Sequence, residues 1–172
     1  MAINPIEYLD IQAVEYTLLP HVTTFTAQHT AAKTHIKGNQ LSKVVIVSSD
    51  NALMMVVIPA NCILVQPSIA ALVSSANVAV VPEYQFRDHF PECETGAMPA
   101  FGHLYGMDVL IAKELVKQPN ITFSGGTHTI LIKMKTADYM RLSGARMINT
   151  GYKVAAVAQP MISQLKDDWR WV

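Results

Sequence analysis

The chain is expected to fold as a single α/β domain built on a mixed sheet. Three observations lead there. Its 172 residues suit one sizeable domain. Hydrophobic residues make up 51% of it, enough for a core rather than disorder. Strand and helix signals interleave irregularly and include a clear hairpin, which argues against the regular alternation of a doubly wound parallel sheet.

The elements follow from local chemistry. Asn4-Pro5-Ile6-Glu7 reads as a helix start, with Asn4 as cap, Pro5 in the first helical position and Glu7 in the first turn. Ile6, Leu9 and Ala13 give that helix one apolar face. Residues 16–19 form a short strand ended by Pro20. Thr23 or Thr24 is placed to cap a second helix running to about Lys33 and stopping near Gly38. Residues 43–47 and 52–58 are β-rich runs joined by Ser48-Ser49-Asp50-Asn51, a hairpin. Their apolar runs are continuous, so both faces are expected to be buried. Pro67 opens a helix to about Ser75, residues 77–81 form a strand, and Pro82 opens a short helix through His89. Strands are expected at 107–112, 120–123 and 130–134, and Thr136 is placed to cap a helix to about Leu142.

Charge is sparse and uneven. Charged residues are 15% of the chain, against roughly 25% in an average soluble domain. The net charge is zero, which excludes bulk electrostatic binding of nucleic acid. No acid occurs between Glu15 and Asp50, a window holding His21, His29, Lys33, His35, Lys37 and Lys43. That window suggests a local anion site, or chance at this charge density. Residues 51–82 carry no charge at all, but Pro59, Asn61, Gln66, Pro67 and Ser68 break every apolar run well short of the about 18 residues of a membrane span. No basic-then-apolar leader opens the chain, so no secretory signal is expected. Two lone cysteines, Cys62 and Cys93, make neither a disulfide framework nor a zinc site, and the expected setting is a reducing cytoplasm.

The densest cluster of backbone specialists is residues 90–102, with Gly96, Pro99, Phe101 and Gly102 behind the acids Glu92 and Glu94. Glycine admits close approach to the main chain and proline fixes it, which suggests binding by backbone groups. Gly125-Gly126-Thr127-His128-Thr129 is a second glycine-rich turn that could face it across a pocket, or be an ordinary turn. No phosphate-loop, dinucleotide or zinc-protease motif is present, and no cofactor or metal is expected. Cys93 with His89, His103 or His128 as base is a candidate nucleophile, but a thiolate between two acids is disfavoured and the inert reading prevails. His103 and His128 lack a ligand-spaced partner and read as structural rather than metal-binding. Lys43, opening an apolar strand, either snorkels to solvent or meets an anion in a pocket.

Together these pieces resemble a known family, the YbaK/prolyl-tRNA-synthetase-associated domain, a set of aminoacyl-tRNA editing domains. Three features carry the likeness: Lys43 opening the apolar hairpin, the acid-led glycine-proline loop of residues 90–102, and the Gly126-Thr127-His128 turn followed by an apolar strand and short helix. The likeness covers about residues 5–145. It implies a mixed, mostly antiparallel sheet curled into a barrel-like core with surrounding helices. It implies an editing domain at 1–145 and a C-terminal extension at 146–172 packed on or near it. There Trp169 and Trp171 either form a docking surface or pack a terminal helix.

The activity implied by the resemblance is hydrolysis of mischarged tRNA in trans, without a cofactor. The implied partners are the single-stranded acceptor end, an aminoacyl-tRNA synthetase as a further candidate, and no membrane. Lys43 matches the family lysine that holds the acceptor end or the ester and is the candidate catalytic residue. The candidate substrate-binding residues are His21, Gly96, Ala97, Met98, Pro99, Phe101, Gly102, Gly126, Thr127 and His128. The chain departs from the family loop Gly-x-x-x-Pro-Phe-Gly at one place, with Ala100 before Phe101 and the proline one position earlier at Pro99. An aminoacyl ester is already activated, so a positioned water and backbone donors can suffice without a catalytic triad. The alternative is a catalytically silent descendant whose pocket binds an amino acid or nucleotide-like ligand.

Overall fold

The computed structural model describes residues 3–24 and 26–156. In chain order the elements are α1 (Pro5–Ile11), β1 (Tyr16–Pro20), α2 (Ala27–Thr34), β2 (Ser42–Ser49), β3 (Ala52–Pro59), β4 (Cys62–Leu64), α3 (Gln66–Leu72), β5 (Val78–Val80), α4 (Glu83–Phe86), β6 (Asp108–Ala112), α5 (Lys113–Val116), β7 (Asn120–Ser124), β8 (Ile130–Lys135), α6 (Thr136–Ser143), β9 (Arg146–Ile148) and β10 (Tyr152–Val154). Short 3₁₀ turns cover Arg87–His89 and Gly102–Tyr105.

The architecture is a mixed α/β domain. A five-stranded sheet runs in the order β5-β2-β3-β6-β9, a three-stranded sheet in the order β1-β8-β7, and β10 pairs with β4. Within the large sheet, β5, β2 and β3 are antiparallel neighbours, whereas β3-β6 and β6-β9 are parallel. Among the described residues these pairings leave three sheets and close none into a barrel. The large and small sheets meet at one bridge, Leu41 to Thr122, reinforced by the Ser42 hydroxyl donating to the Thr122 carbonyl at 3.1 Å. At Ser42 the chain turns into its ladder with β3, starting opposite Pro59, and the contact with β7 goes no further as strand pairing.

Local sequence accounts for most elements. The Asn4 side chain accepts from the Ile6 N–H at 2.8 Å and Pro5 occupies the first turn of α1. Asp50 and Asn51 both take positive φ, 47° and 70°, the backbone of a two-residue hairpin turn that suits short polar side chains. Val56, Val57 and Ile58 are consecutive and fully buried, so β3 has cover on both faces.

Several boundaries differ from expectation, among them the end of α3 at Leu72, short of Ser75. The cap of α2 is Thr26, which accepts from the His29 N–H, because the Thr24 hydroxyl is engaged at 2.5 Å with that of Thr30. The same helix ends at His35 in the left-handed conformation, before Gly38. The side chain of Thr136 caps nothing, and its amide bonds the Pro119 carbonyl at 3.0 Å instead. Beyond α6, β9 extends the large sheet along β6, and β10 lies antiparallel to β4. Trp169 and Trp171 lie outside the described residues.

One core unites the two larger sheets. At its centre Phe101 meets the rings of Tyr8, Phe123 and Tyr139, with centroids 5.2–5.6 Å apart. No helix among the described residues is long and apolar enough to cross a membrane.

Candidate functional site

Four segments converge on one cavity of about 170 Å³. They are the stretch from His21 into α2, the start of β2, the loop at Gly96 and Met98, and the end of β7 with the turn that leads to β8. Hydrogen bonds pin these walls together. The His21 N–H donates to the Thr129 carbonyl at 2.8 Å and the Thr24 N–H to the His128 carbonyl at 3.3 Å. Across the cavity, the Glu94 N–H donates to the Gly126 carbonyl at 2.8 Å. The Glu94 carboxylate in turn accepts the His128 N–H at 2.6 Å, a charge-assisted bond. His128 Nε2 lies 2.9 Å from the Thr95 carbonyl. A carbonyl only accepts, so Nε2 is the donor in this bond. The two glycine-rich segments are thus tied to each other through Glu94.

The lining is polar without acid. Lys43, His21, His128, Thr24, Thr26, Thr30, Thr127, Ser42 and Ser124 contribute polar groups, Leu41, Val44, Met98, Phe123 and Leu131 apolar ones, and no carboxylate of the described residues lines the cavity. Lys43 is half-buried opposite Ile58 and has no carboxylate partner among the described residues. Burial lowers its pKa from lysine's ordinary value, partly opposed by the nearby Cys62 thiol. A cation held there without a counter-ion favours an anionic or strongly polarised ligand.

Gly96 sits at φ 89°, a conformation side chains rarely adopt, and its N–H meets the Met98 sulfur at 3.3 Å. A thioether is a weak acceptor, so this donor stands ready for a stronger one.

The structure brings His21, Lys43, Gly96, Met98, Thr127 and His128 together and places the other expected binding residues elsewhere. Ala97, Pro99, Phe101 and Gly102 are buried behind the loop. A side chain on Gly102 would come within 2.7 Å of Val109 and 3.1 Å of Met55, so this glycine serves core packing. Gly126 backs the turn, with the Cys93 sulfur 3.6 Å from the position of a β-carbon there. Ala100 is buried and its carbonyl accepts from the Tyr139 hydroxyl at 2.6 Å, which anchors the loop where the family proline is missing.

Other candidates separate from the site. Cys93 does not line the cavity, and burial raises its pKa, with the Tyr105 hydroxyl at 3.6 Å opposing and Glu92 adding to the rise. His103 packs against Tyr8 and Phe101, and burial lowers its pKa. Among the described residues no group of three His, Cys, Asp or Glu is placed to hold a metal. Of the acid-free basic window only His21 and Lys43 reach the cavity, and His35 lines a separate groove with Lys133. The threonines Thr24, Thr26 and Thr30 line the cavity although the sequence marks them only as helix-capping types. Their spacing ahead of and into α2, with Thr26 as its cap and Thr30 one turn on, is the signal that could have found them.

The fold and site define a mixed α/β domain with a small cavity walled by backbone-rich loops and a lysine that has no carboxylate partner among the described residues. The model of the aminoacyl-tRNA editing domain family matches residues 21–142, and the chain belongs to that family. A comparison with curated proteins finds no match. Among solved structures, a candidate trans-editing enzyme for prolyl-tRNA synthetase is 18% identical with a TM-score of 0.70, covering 82% of this chain and 90% of that one. The hypothetical protein APE2540 is 17% identical with a TM-score of 0.76, covering 86% of this chain and 98% of that one. A candidate signal transduction protein from Marinobacter aquaeolei VT8 is 12% identical with a TM-score of 0.67, covering 96% of this chain and 35% of that longer one. At these identities the likeness is one of fold.

Proposed function

We propose that the protein is a trans-acting deacylase that hydrolyses the ester of a mischarged tRNA. The observation that carries this reading is Lys43, a half-buried cation in a cavity that no carboxylate of the described residues lines, facing two glycine-rich segments clamped together by Glu94. In this reading Lys43 holds the acceptor-end phosphate or the ester oxygen. A water attacks the ester carbonyl, and the Gly96 N–H, leaving its thioether partner, stabilises the oxyanion. The tetrahedral species collapses by expelling the ribose oxygen, which takes up the proton given up by the attacking water and leaves as the free hydroxyl as the carbon–oxygen bond breaks.

Size supports the same reading. A cavity of about 150 Å³ holds one benzene, so about 170 Å³ takes a small aminoacyl group and not a nucleoside. A fixed wall excludes a larger side chain, although one methylene is worth only about 1–3 kcal/mol of discrimination. The reading includes an editing unit at 1–145 with an extension at 146–172, a barrel-like core with its seam at Leu41 and Thr122, a synthetase as partner and a cytoplasmic setting.

The test is a deacylation screen with correctly charged tRNAs and Ala-, Cys- and Ser-charged tRNA-Pro. The expected result is hydrolysis of one species, lowered at least about a hundredfold in Lys43→Ala, the scale of removing one preorganised electrostatic group. A Lys43→Ala protein as active as wild type on every species refutes the mechanism.

The second reading is a ligand-binding regulatory module. Ala100 in place of the family proline favours it, as does the likeness of nearly the whole chain to part of a longer protein described as acting in signal transduction. Its signature is thermal stabilisation by a free amino acid or nucleotide, with no turnover by protein shown to be folded.

A further inference from the structure

Among the described residues the cavity lining offers a cation but no acid, whereas an aminoacyl ester carries a positive α-ammonium that needs an acceptor. We propose that Glu83, on α4 beside the cavity-lining Gly96, is the residue that binds this ammonium. The inference rests on the aminoacyl reading of the cavity and adds the group that recognises the amino end.

The argument is geometric. Gly96 lines the cavity, and its missing side chain points between two groups. Glu83 Oε1 lies 3.3 Å, and His128 Cε1 3.4 Å, from the position a β-carbon would take. A carboxylate and the edge of an imidazole thus both stand close to the main chain at Gly96. Glu94, the acid of the neighbouring loop, is committed to the His128 N–H. Glu83 is exposed and forms no ion pair among the described residues. The anchoring residue Phe86, three positions on, is buried in the core and holds the short helix in place. The charges are thus divided, with Lys43 toward the phosphate or ester end and Glu83 toward the amine. A ligand with a free amine gains a charge-assisted bond that an acylated amine cannot make.

The test uses binding, so it does not depend on turnover. The probe is 3′-alanylamino-3′-deoxyadenosine, an amide-linked mimic of the charged acceptor end, compared with its N-acetyl form by titration of the full chain. Wild type is expected to prefer the free amine by about fivefold, the scale of one exposed ion pair. In Glu83→Gln the preference is expected to vanish while binding of the N-acetyl form stays unchanged. The wild-type preference should also shrink in about 1 M salt, where the screening length falls to about 3 Å. Equal binding of the two forms by wild type, no binding of either, or a preference retained in a folded Glu83→Gln protein overturns the inference. Failure of the deacylase reading shows separately, as an inactive charged-tRNA panel beside a mimic that still binds.

Discussion

Gly102→Ala separates two explanations of a glycine that lies in a binding-type loop. If Gly102 lets substrate approach the main chain, alanine removes activity and leaves stability alone. The structure argues otherwise. The new methyl carbon would sit 2.7 Å from a Val109 methyl, 3.1 Å from the Met107 carbonyl oxygen and 3.1 Å from Met55 Cβ. Carbon pairs at rest are about 3.5–4.0 Å apart. Val109 and Met55 belong to β6 and β3, adjacent strands in the middle of the large sheet, which are held by neighbours on both sides. Overpacking of this kind costs about 1–3 kcal/mol. Gly102 is not among the residues at positive φ, so alanine also recovers about 0.4–1 kcal/mol by restricting the unfolded chain. The steric cost is the larger of the two, leaving a net loss of about 1–2 kcal/mol and a melting point lowered by about 2–8 °C for a chain of this size. Thermal and urea unfolding measure it directly. A variant that melts at or above wild type refutes the packing argument.

Three further predictions concern the site. Lys43→Met should resist denaturant better than wild type at neutral pH, because burial penalises the charged lysine. The sign follows from linkage. The penalty is fully present below the lowered folded pKa and fades as pH climbs to the ordinary value of 10.5, so the gap between the two proteins should close over that window in urea titrations. Cys93→Ser should leave deacylation within about twofold, since burial disfavours the thiolate and the residue lies off the cavity; a loss of two or more orders of magnitude would restore the cysteine nucleophile. Glu94→Gln should raise KM about threefold by loosening the clamp on His128 while moving the melting point by no more than about 1–2 °C, as expected for an exposed charged contact. An unchanged KM would mean the clamp is idle.

Some of this protein was written locally in its residues. The α1 cap needs only Asn4 and Pro5, and the hairpin needs only two apolar runs around Asp50-Asn51, because neighbours within a few positions satisfy these groups. The lysine, the Gly96 loop and the Thr127-His128 turn were legible as candidates for the same reason: their residue types are unusual where they stand. Which of them meet was settled by contacts far apart in the chain. Glu94 to His128, Leu41 to Thr122 and Phe101 to Tyr139 are tertiary pairings with no local signature. They turned Phe101 and Gly102 into core, brought Thr24 and Thr30 into the cavity wall, and set Glu83 beside Gly96. Sequence alone determines where the backbone can turn and which stretches must be buried, since both follow from nearest-neighbour sterics and hydrophobicity. Only tertiary packing decides which side of a loop faces ligand and which faces core, because that depends on which distant surface fills the space behind it.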